Sequence, residues 1–300
     1  MKKILLATSI LAATSGFAAA EVTLSGDARM GVTNKTTSGD FEFTSRARVK
    51  FTLAGESDSG LSFGGSFRAD NAAASTTVTI APGADLVVGT PDDIVSTSTG
   101  GGAINGAAGS VFVSGAFGSI AMGDNDSAVQ AAVGQVSATS LTGLGDLNEV
   151  SHIGNGPTPN VLYSGTFGAA SVYASAGQVG SDDMGVGVGF AAGAYNFGLG
   201  WGTDGTNDEI AMSAAGTFGA VSAKAVIIDH DVNGSEWALS ATGTFSGAAV
   251  TGFYRDSDVR LSAYGLGASY DLGGGLSVVG GIAKAEGLTS VADFGVSMSF

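Results

Sequence analysis

The 300-residue sequence contains no cysteine. Disulfides and thiolate metal sites are therefore excluded, and backbone pairing and packing must hold the fold together. Histidine is almost as scarce, with only His152 and His230 present. Both fall in segments that read as external loops. Ser151 and His152 are adjacent, but neighbours in sequence do not make a nucleophile–base pair, which is a matter of spatial geometry. No HExxH or Walker sequence occurs, and the glycine runs lack the strand–helix context of a dinucleotide fingerprint. Little is left to carry catalysis. Basic residues are few, 12 Lys and Arg against 27 Asp and Glu. That acidic excess argues against a nucleic-acid partner, which needs a basic surface. Charge of either sign amounts to only 13% of residues, yet beyond the first twenty residues no segment reads as a membrane helix. The nearest is 184–203, MGVGVGFAAGAYNFGLGWGT, uncharged but holding seven glycines. Each costs a helix about 1 kcal/mol relative to alanine, and the alternation of apolar and small residues suits a hairpin instead.

What is present begins with a leader. Met1-Lys2-Lys3, the apolar run 4–17 and Ala18-Ala19-Ala20 form a charged start, an apolar middle too short to span a bilayer and an A-x-A end. This is the pattern of a secretory signal peptide cut before Glu21. Its removal leaves a single domain over 21–300, with ten basic residues against 27 acidic ones and a formal charge of −17. Exported, apolar, glycine-rich and without spanning helices, such a chain points to an outer-membrane β-barrel.

A short motif recurs along it: GAFGS at 115–119, GTFGA at 165–169 and 216–220, and GTFSGA at 243–248. Each copy lies between two alternating runs and supplies glycine where a strand must reverse. Irregular spacing excludes a solenoid, so the copies read as short turns on one rim, their phenylalanines at the membrane interface. The intervening connections (34–40, 178–183, 203–208, 229–234 and 255–258) are polar and acidic, as expected when the two rims face different compartments. The alternating runs predict sixteen strands: 22–33, 41–54, 61–69, 109–115, 119–124, 160–166, 170–176, 184–192, 195–202, 208–217, 220–228, 235–245, 248–255, 259–270, 276–283 and 290–300. Sixteen is even, which puts both ends on one rim, and is enough for an aqueous channel. Two connections, 71–108 and 125–159, are far longer than hairpin loops usually are.

One stretch, FEFTSRARVKFTL at 41–53, carries the functional argument. In an extended strand Glu42, Arg46, Arg48 and Lys50 share one face, while Phe41, Phe43, Val49, Phe51 and Leu53 take the other. The same alternation places Thr23, Ser25, Asp27 and Arg29 of the first strand, and Ser66, Arg68 and Asp70 of the third, on that polar face. A charge facing lipid at mid-membrane costs about 2–4 kcal/mol, which assigns the cations to the lumen. Arg29, Arg46, Arg48, Lys50 and Arg68 would then line a pore together. The plainer reading is a solvated face with scattered ion pairs to Asp27, Glu42 and Asp70.

The segments EVTLSGDARMGV at 21–32, DSGLSFGGSFRA at 58–69, VFVSGAFGSIAMGD at 111–124 and GLGASYDLGGGLSVVGGIA at 265–283, with the terminal Phe300, resemble the trimeric general-diffusion porins of the Rhodobacter type. The resemblance implies an all-β, sixteen-stranded antiparallel transmembrane barrel, assembled as a homotrimer, with the loop 125–159 folded into each pore. It implies an outer-membrane location among lipid and lipopolysaccharide, recognition of Phe300 by the barrel assembly machinery, and passive diffusion of small hydrophilic solutes and ions. Asp124, Asp126, Asp146 and Glu149, fewer acids than the family resemblance leads one to expect, would face the basic strip across the constriction and set up a transverse field. Relatives bind calcium, and Asp124 with Asp126, or Asp85 with Asp92 and Asp93, would be its ligands here, although neither set has EF-hand spacing. The competing class is a closed structural or adhesive barrel that does not conduct.

Overall fold

The computed structural model describes residues 20–34, 39–71, 76–81, 94–99, 107–154 and 160–300. Residues 1–19, nearly all of the expected leader, and the acids Asp85, Asp92 and Asp93 lie outside the described residues. The described residues form eighteen strands. These are β1 (Glu21–Thr33), β2 (Glu42–Glu56), β3 (Ser62–Asp70), β4 (Thr76–Ala81), β5 (Ile94–Thr99), β6 (Ala107–Gly115), β7 (Gly118–Gly123), β8 (Asn160–Phe167) and β9 (Ala170–Ala176). They continue with β10 (Met184–Ala192), β11 (Tyr195–Thr203), β12 (Asp208–Phe218), β13 (Val221–His230), β14 (Gly234–Phe245), β15 (Ala248–Ser257), β16 (Ala263–Gly273), β17 (Leu276–Ala285) and β18 (Val291–Ser299). Among the described residues one short helix, α1 (Ala128–Val133), lies between β7 and β8.

Sixteen of the strands pair antiparallel into a closed barrel, each with the next in sequence except that β3 pairs with β6, and β1 closes on β18. Closure leaves no edge, so ladder groups are satisfied without water, the condition for crossing hydrocarbon with strands. The seam is completed by the last residue, where Phe300 and Gly26 exchange backbone hydrogen bonds of 2.9 and 3.2 Å. The remaining two strands, β4 and β5, form a separate hairpin within 71–108. That segment reads as loop in the sequence; a hairpin satisfies backbone groups that a 38-residue open loop would leave to solvent.

The recurring glycine motif falls at the strand reversals. Two-residue turns at 116–117, 168–169, 219–220 and 246–247 each lie within one copy. At 246–247 both Ser246 and Gly247 have positive φ, 49° and 85°, the combination that matches hairpin twist. The phenylalanines of the copies, Phe117, Phe167, Phe218 and Phe245, point outward and are exposed. Above them runs an outward apolar band that includes Val186, Val188, Leu199, Met212, Leu239 and Leu266. A soluble protein would bury such a band. The buried residues lie instead on the inner side, where Val129, Val133, Val136 and Val150 of the segment after β7 meet Ala211, Val226, Ile228 and Ala238 of the wall.

Candidate functional site

That inner core exists because the segment between β7 and β8 folds into the barrel. Its two ends are tied at the mouth, where Asn125 donates from Nδ2 to Asn160 Oδ1 (3.1 Å) and Asn160 donates back to the Asn125 carbonyl (2.6 Å). Ser127 then caps α1, accepting from the Gln130 amide at 3.2 Å. A six-residue helix is not stable alone, and α1 is held by packing on β9 to β12. The wall offers glycines there. A Cβ on Gly200 would lie 2.9 Å from Val129 Cα, and one on Gly187 would lie 2.6 Å from Ala132 Cβ. Those gaps are closer than carbon atoms tolerate, so only glycine lets the helix lie flush.

Beyond α1 the segment crosses the wall and is pinned at intervals. The Ser137 amide donates to Ser240 Oγ of β14 (3.0 Å), and Thr139 Oγ1 donates to Thr251 of β15 (2.8 Å). Asp293 of β18 then accepts from the Leu141 amide (2.9 Å), the Thr142 amide (2.6 Å) and the Thr142 hydroxyl (2.7 Å). On the next strand Arg29 donates to the Leu141 carbonyl at 3.0 Å. The loop therefore reaches from β9 round to β1. On its return Gln135 exchanges two hydrogen bonds with Val150 (2.8 and 2.9 Å), and Arg260 donates to the Glu149 carbonyl at 2.9 Å.

A buried charged network clips the returning arm. Glu209 of β12 is fully buried, with His152 Nδ1 at 3.7 Å and His230 Nε2 at 3.4 Å from the same carboxylate oxygen. Glu236 of β14 is likewise fully buried and takes Arg260, with Arg255 Nη1 at 4.0 Å. Both histidines are thus interior: His152 lies in the loop after β7, turned inward with it, whereas His230 ends β13, so placing His230 in an external loop is incorrect. The physical reason is parity: His230 and Glu209 are cross-strand partners on the lumen face.

The five expected cations stand on one inner face. Register pairs Arg29 with Arg46, Lys50 with Ser25 and with Arg68, and Arg48 with Asp27 and with Asp70. Arg46 bonds Asp27 at 3.1 Å, while Asp70 takes Arg48 at 3.0 Å and Arg68 at 2.7 Å. Lys50 is exposed and makes no ion pair among the described residues. The strip is therefore part-neutralised, as the plainer reading had it, while keeping a surplus of cations. The acids are arranged otherwise. Asp124 opens the loop beside β6, its amide on the Gly109 carbonyl at 3.1 Å. Asp126, Asp146 and Glu149 are exposed and close enough to one another that Asp146 and Asp126 both act on Glu149. Loss of hydration of the carboxyl beside the loop and wall, then the charge of Asp146, hold Glu149 above the usual glutamate range, against Arg260. None of the four bonds to a cation of the strip among the described residues. Asp124 and Asp126 offer two carboxylates where calcium takes six to eight oxygens, and Asn125 between them is committed to Asn160. Among the described residues no three His, Asp or Glu side chains converge on a metal position.

The residues that seat the loop, Asp293, Glu209, Glu236 and Arg255, belong to no sequence motif. The signal was available, since a charge within a membrane strand must face inward or meet lipid.

A closed barrel, apolar outside and charged within, holding a loop across its lumen, defines a transmembrane channel. The sequence matches the Gram-negative porin family over residues 7–289. It is 34% identical to the porin of Rhodobacter capsulatus, covering 93% of this chain and all of that one. A solved porin structure refined at 1.8 Å superposes with a TM-score of 0.72 at 33% identity, over 93% of this chain and 100% of the other. An engineered variant of Rh. blastica porin superposes at 0.66 with 18% identity and the same coverage, a likeness of fold. The chain belongs to the Gram-negative porin family. It is accordingly an outer-membrane channel for small hydrophilic solutes rather than an enzyme.

Proposed function

We propose that solutes cross between the inserted loop and the cationic strip, so that the loop limits size while Arg29, Arg46, Arg48, Lys50 and Arg68 set the field. The supporting observation is the seating of the loop on the inner wall from β9 to β1, which leaves the strip on β1 to β3 facing the remaining lumen. Selectivity in such a gap comes from width and from charged rings. Asp126, Asp146 and Glu149 form the acidic side, grouped beside Arg260. The assembly is a homotrimer set in outer-membrane lipid and lipopolysaccharide, exported with loss of residues 1–20 and recognised for assembly through Phe300. Calcium at Asp124 and Asp126 needs ligands from outside this pair.

The test is conductance of the purified mature protein in a planar bilayer under a salt gradient. Stepwise openings in groups of three are expected, with a reversal potential that reports the sign of selectivity. A folded barrel that never conducts would overturn the reading in favour of a closed structural barrel.

A further inference from the structure

Most inward cations of the described residues have a local acceptor, but Lys224 of β13 does not. Arg46, Arg48 and Arg68 meet carboxylates, Arg255 and Arg260 meet Glu236, and Arg29 meets a carbonyl. Lys224 has no ion pair or hydrogen bond among the described residues. It is half-buried, and its amine lies next to Gly134 at the end of α1, where a Cβ would come within 2.8 Å of Nζ. Isolated cations of this kind are costly unless a counter-charge visits.

The surroundings are suited to such a visitor. Below the loop, towards the short-turn rim, Lys224 borders an open cleft of about 210 Å³ on the lumen face of β11 to β14. Its polar lining comes from Asn196, Thr217, Ser222, Ser240 and Thr242, with Lys224 as its single charge. Thr217 and Ser222 hydroxyls face each other at 3.1 Å. Ser240 already accepts from the loop and retains its own proton to donate. The cleft thus combines one ammonium with several hydroxyl donors and no carboxylate. That inventory repels cations, offers little to apolar solutes, and matches a small organic anion bearing hydroxyl groups.

We propose that this cleft is a subsite for short hydroxy-carboxylates on the exit side of the constriction, with Lys224 taking the carboxylate and the Ser and Thr hydroxyls taking the solute's hydroxyl groups. The proposal rests on the diffusion-pore reading, which potassium chloride conductance tests separately. The experiment uses gluconate as probe, added to either side of channels already open in potassium chloride, with glucose as the uncharged comparison. Gluconate is expected to block the current in a saturable way and glucose much more weakly. Lys224→Gln should weaken the gluconate block about tenfold, the scale of one hydrogen bond to a charged group, whereas Lys224→Arg should retain most of it. If Lys224→Gln gives no channels, Thr217→Val with Ser222→Ala carries the test, with the same weakening expected. Equal block by gluconate and glucose, or a gluconate block that survives loss of the charge, would overturn the subsite. So would a change confined to chloride selectivity, which would make Lys224 a contributor to the field alone.

Discussion

At the scale of single residues, position relative to the strand face decides what each charge does. Arg46, Arg48 and Lys50 are successive inward residues of β2, and two of the three share acids with their neighbours. Neutralising all three leaves Asp27 and Asp70 less compensated, so the lumen loses cations and gains effective negative charge. The expected outcome is a shift of the reversal potential toward cation selectivity, by about severalfold in permeability ratio. An unchanged potential would place them out of the conduction path. Glu149 gives the pH dependence. Desolvation, then the nearby Asp146, holds its carboxyl above the ordinary value of 4.5, so it is protonated earlier than a free glutamate as pH falls. The loop then loses one negative charge, and selectivity should move toward anions on descending through that range. Glu149→Gln should show the acid-side selectivity already at neutral pH and lose this component of the titration. Asp293 is a positioning residue for the loop, accepting three hydrogen bonds from it. Bonds to a charged acceptor contribute about 1.5–3 kcal/mol each. Asp293→Ala is therefore expected to make open-channel current noisier and to lower the melting temperature, while the barrel still inserts.

Among elements, the informative pairing is between the inserted loop and the glycines beneath it. A Cβ on Gly281 would lie 2.6 Å from the Thr139 carbonyl oxygen, and Gly267 faces the same carbonyl still more closely. Either glycine changed to alanine must push the loop away from β16 and β17 into the lumen. Gly267→Ala is expected to lower single-channel conductance. Gly189→Ala is the matched control, since that inward glycine has nothing nearer than 3.9 Å and should leave conductance as it was. Equal conductance in both variants would mean that the loop does not limit flow. The uncharged, glycine-rich run that argued against a helix at 184–203 thus has a positive role, because β10 and β11 present Gly187, Gly198 and Gly200 to α1. Strand periodicity made the two strands legible. It could not indicate what rests on their small-residue face, since that partner, α1, lies far back along the chain.

For the molecule as a whole, closure makes the chain ends structural neighbours. Phe300 binds Gly26 through backbone atoms, so its side chain is spare for the folded seam although exposed at the rim. Phe300→Ala is expected to reduce the amount of folded barrel in the outer membrane without lowering the melting temperature of protein refolded in detergent. A lowered melting temperature would make the ring a packing residue instead of an assembly signal. The same closure, with an apolar band outside and ionic pairs inside, inverts the distribution of a soluble protein. This inversion is why a chain with 13% charged residues keeps nearly all its chemistry on one surface.

The sequence by itself determined the sixteen strands, their short glycine turns, and the common inward face of Arg29, Arg46, Arg48, Lys50 and Arg68. These follow from a period of two and from the cost of charge in lipid, both of which are local or nearly so. The tertiary structure alone decided where the loop lies, that His152 and His230 meet at Glu209, that Asp293 holds Leu141 and Thr142, and that Lys224 stands without an acid. Each of those depends on contacts between residues separated by tens to more than a hundred positions. Loop conformation carries no periodic signal, and a lumen-facing charge announces its direction but not its partner.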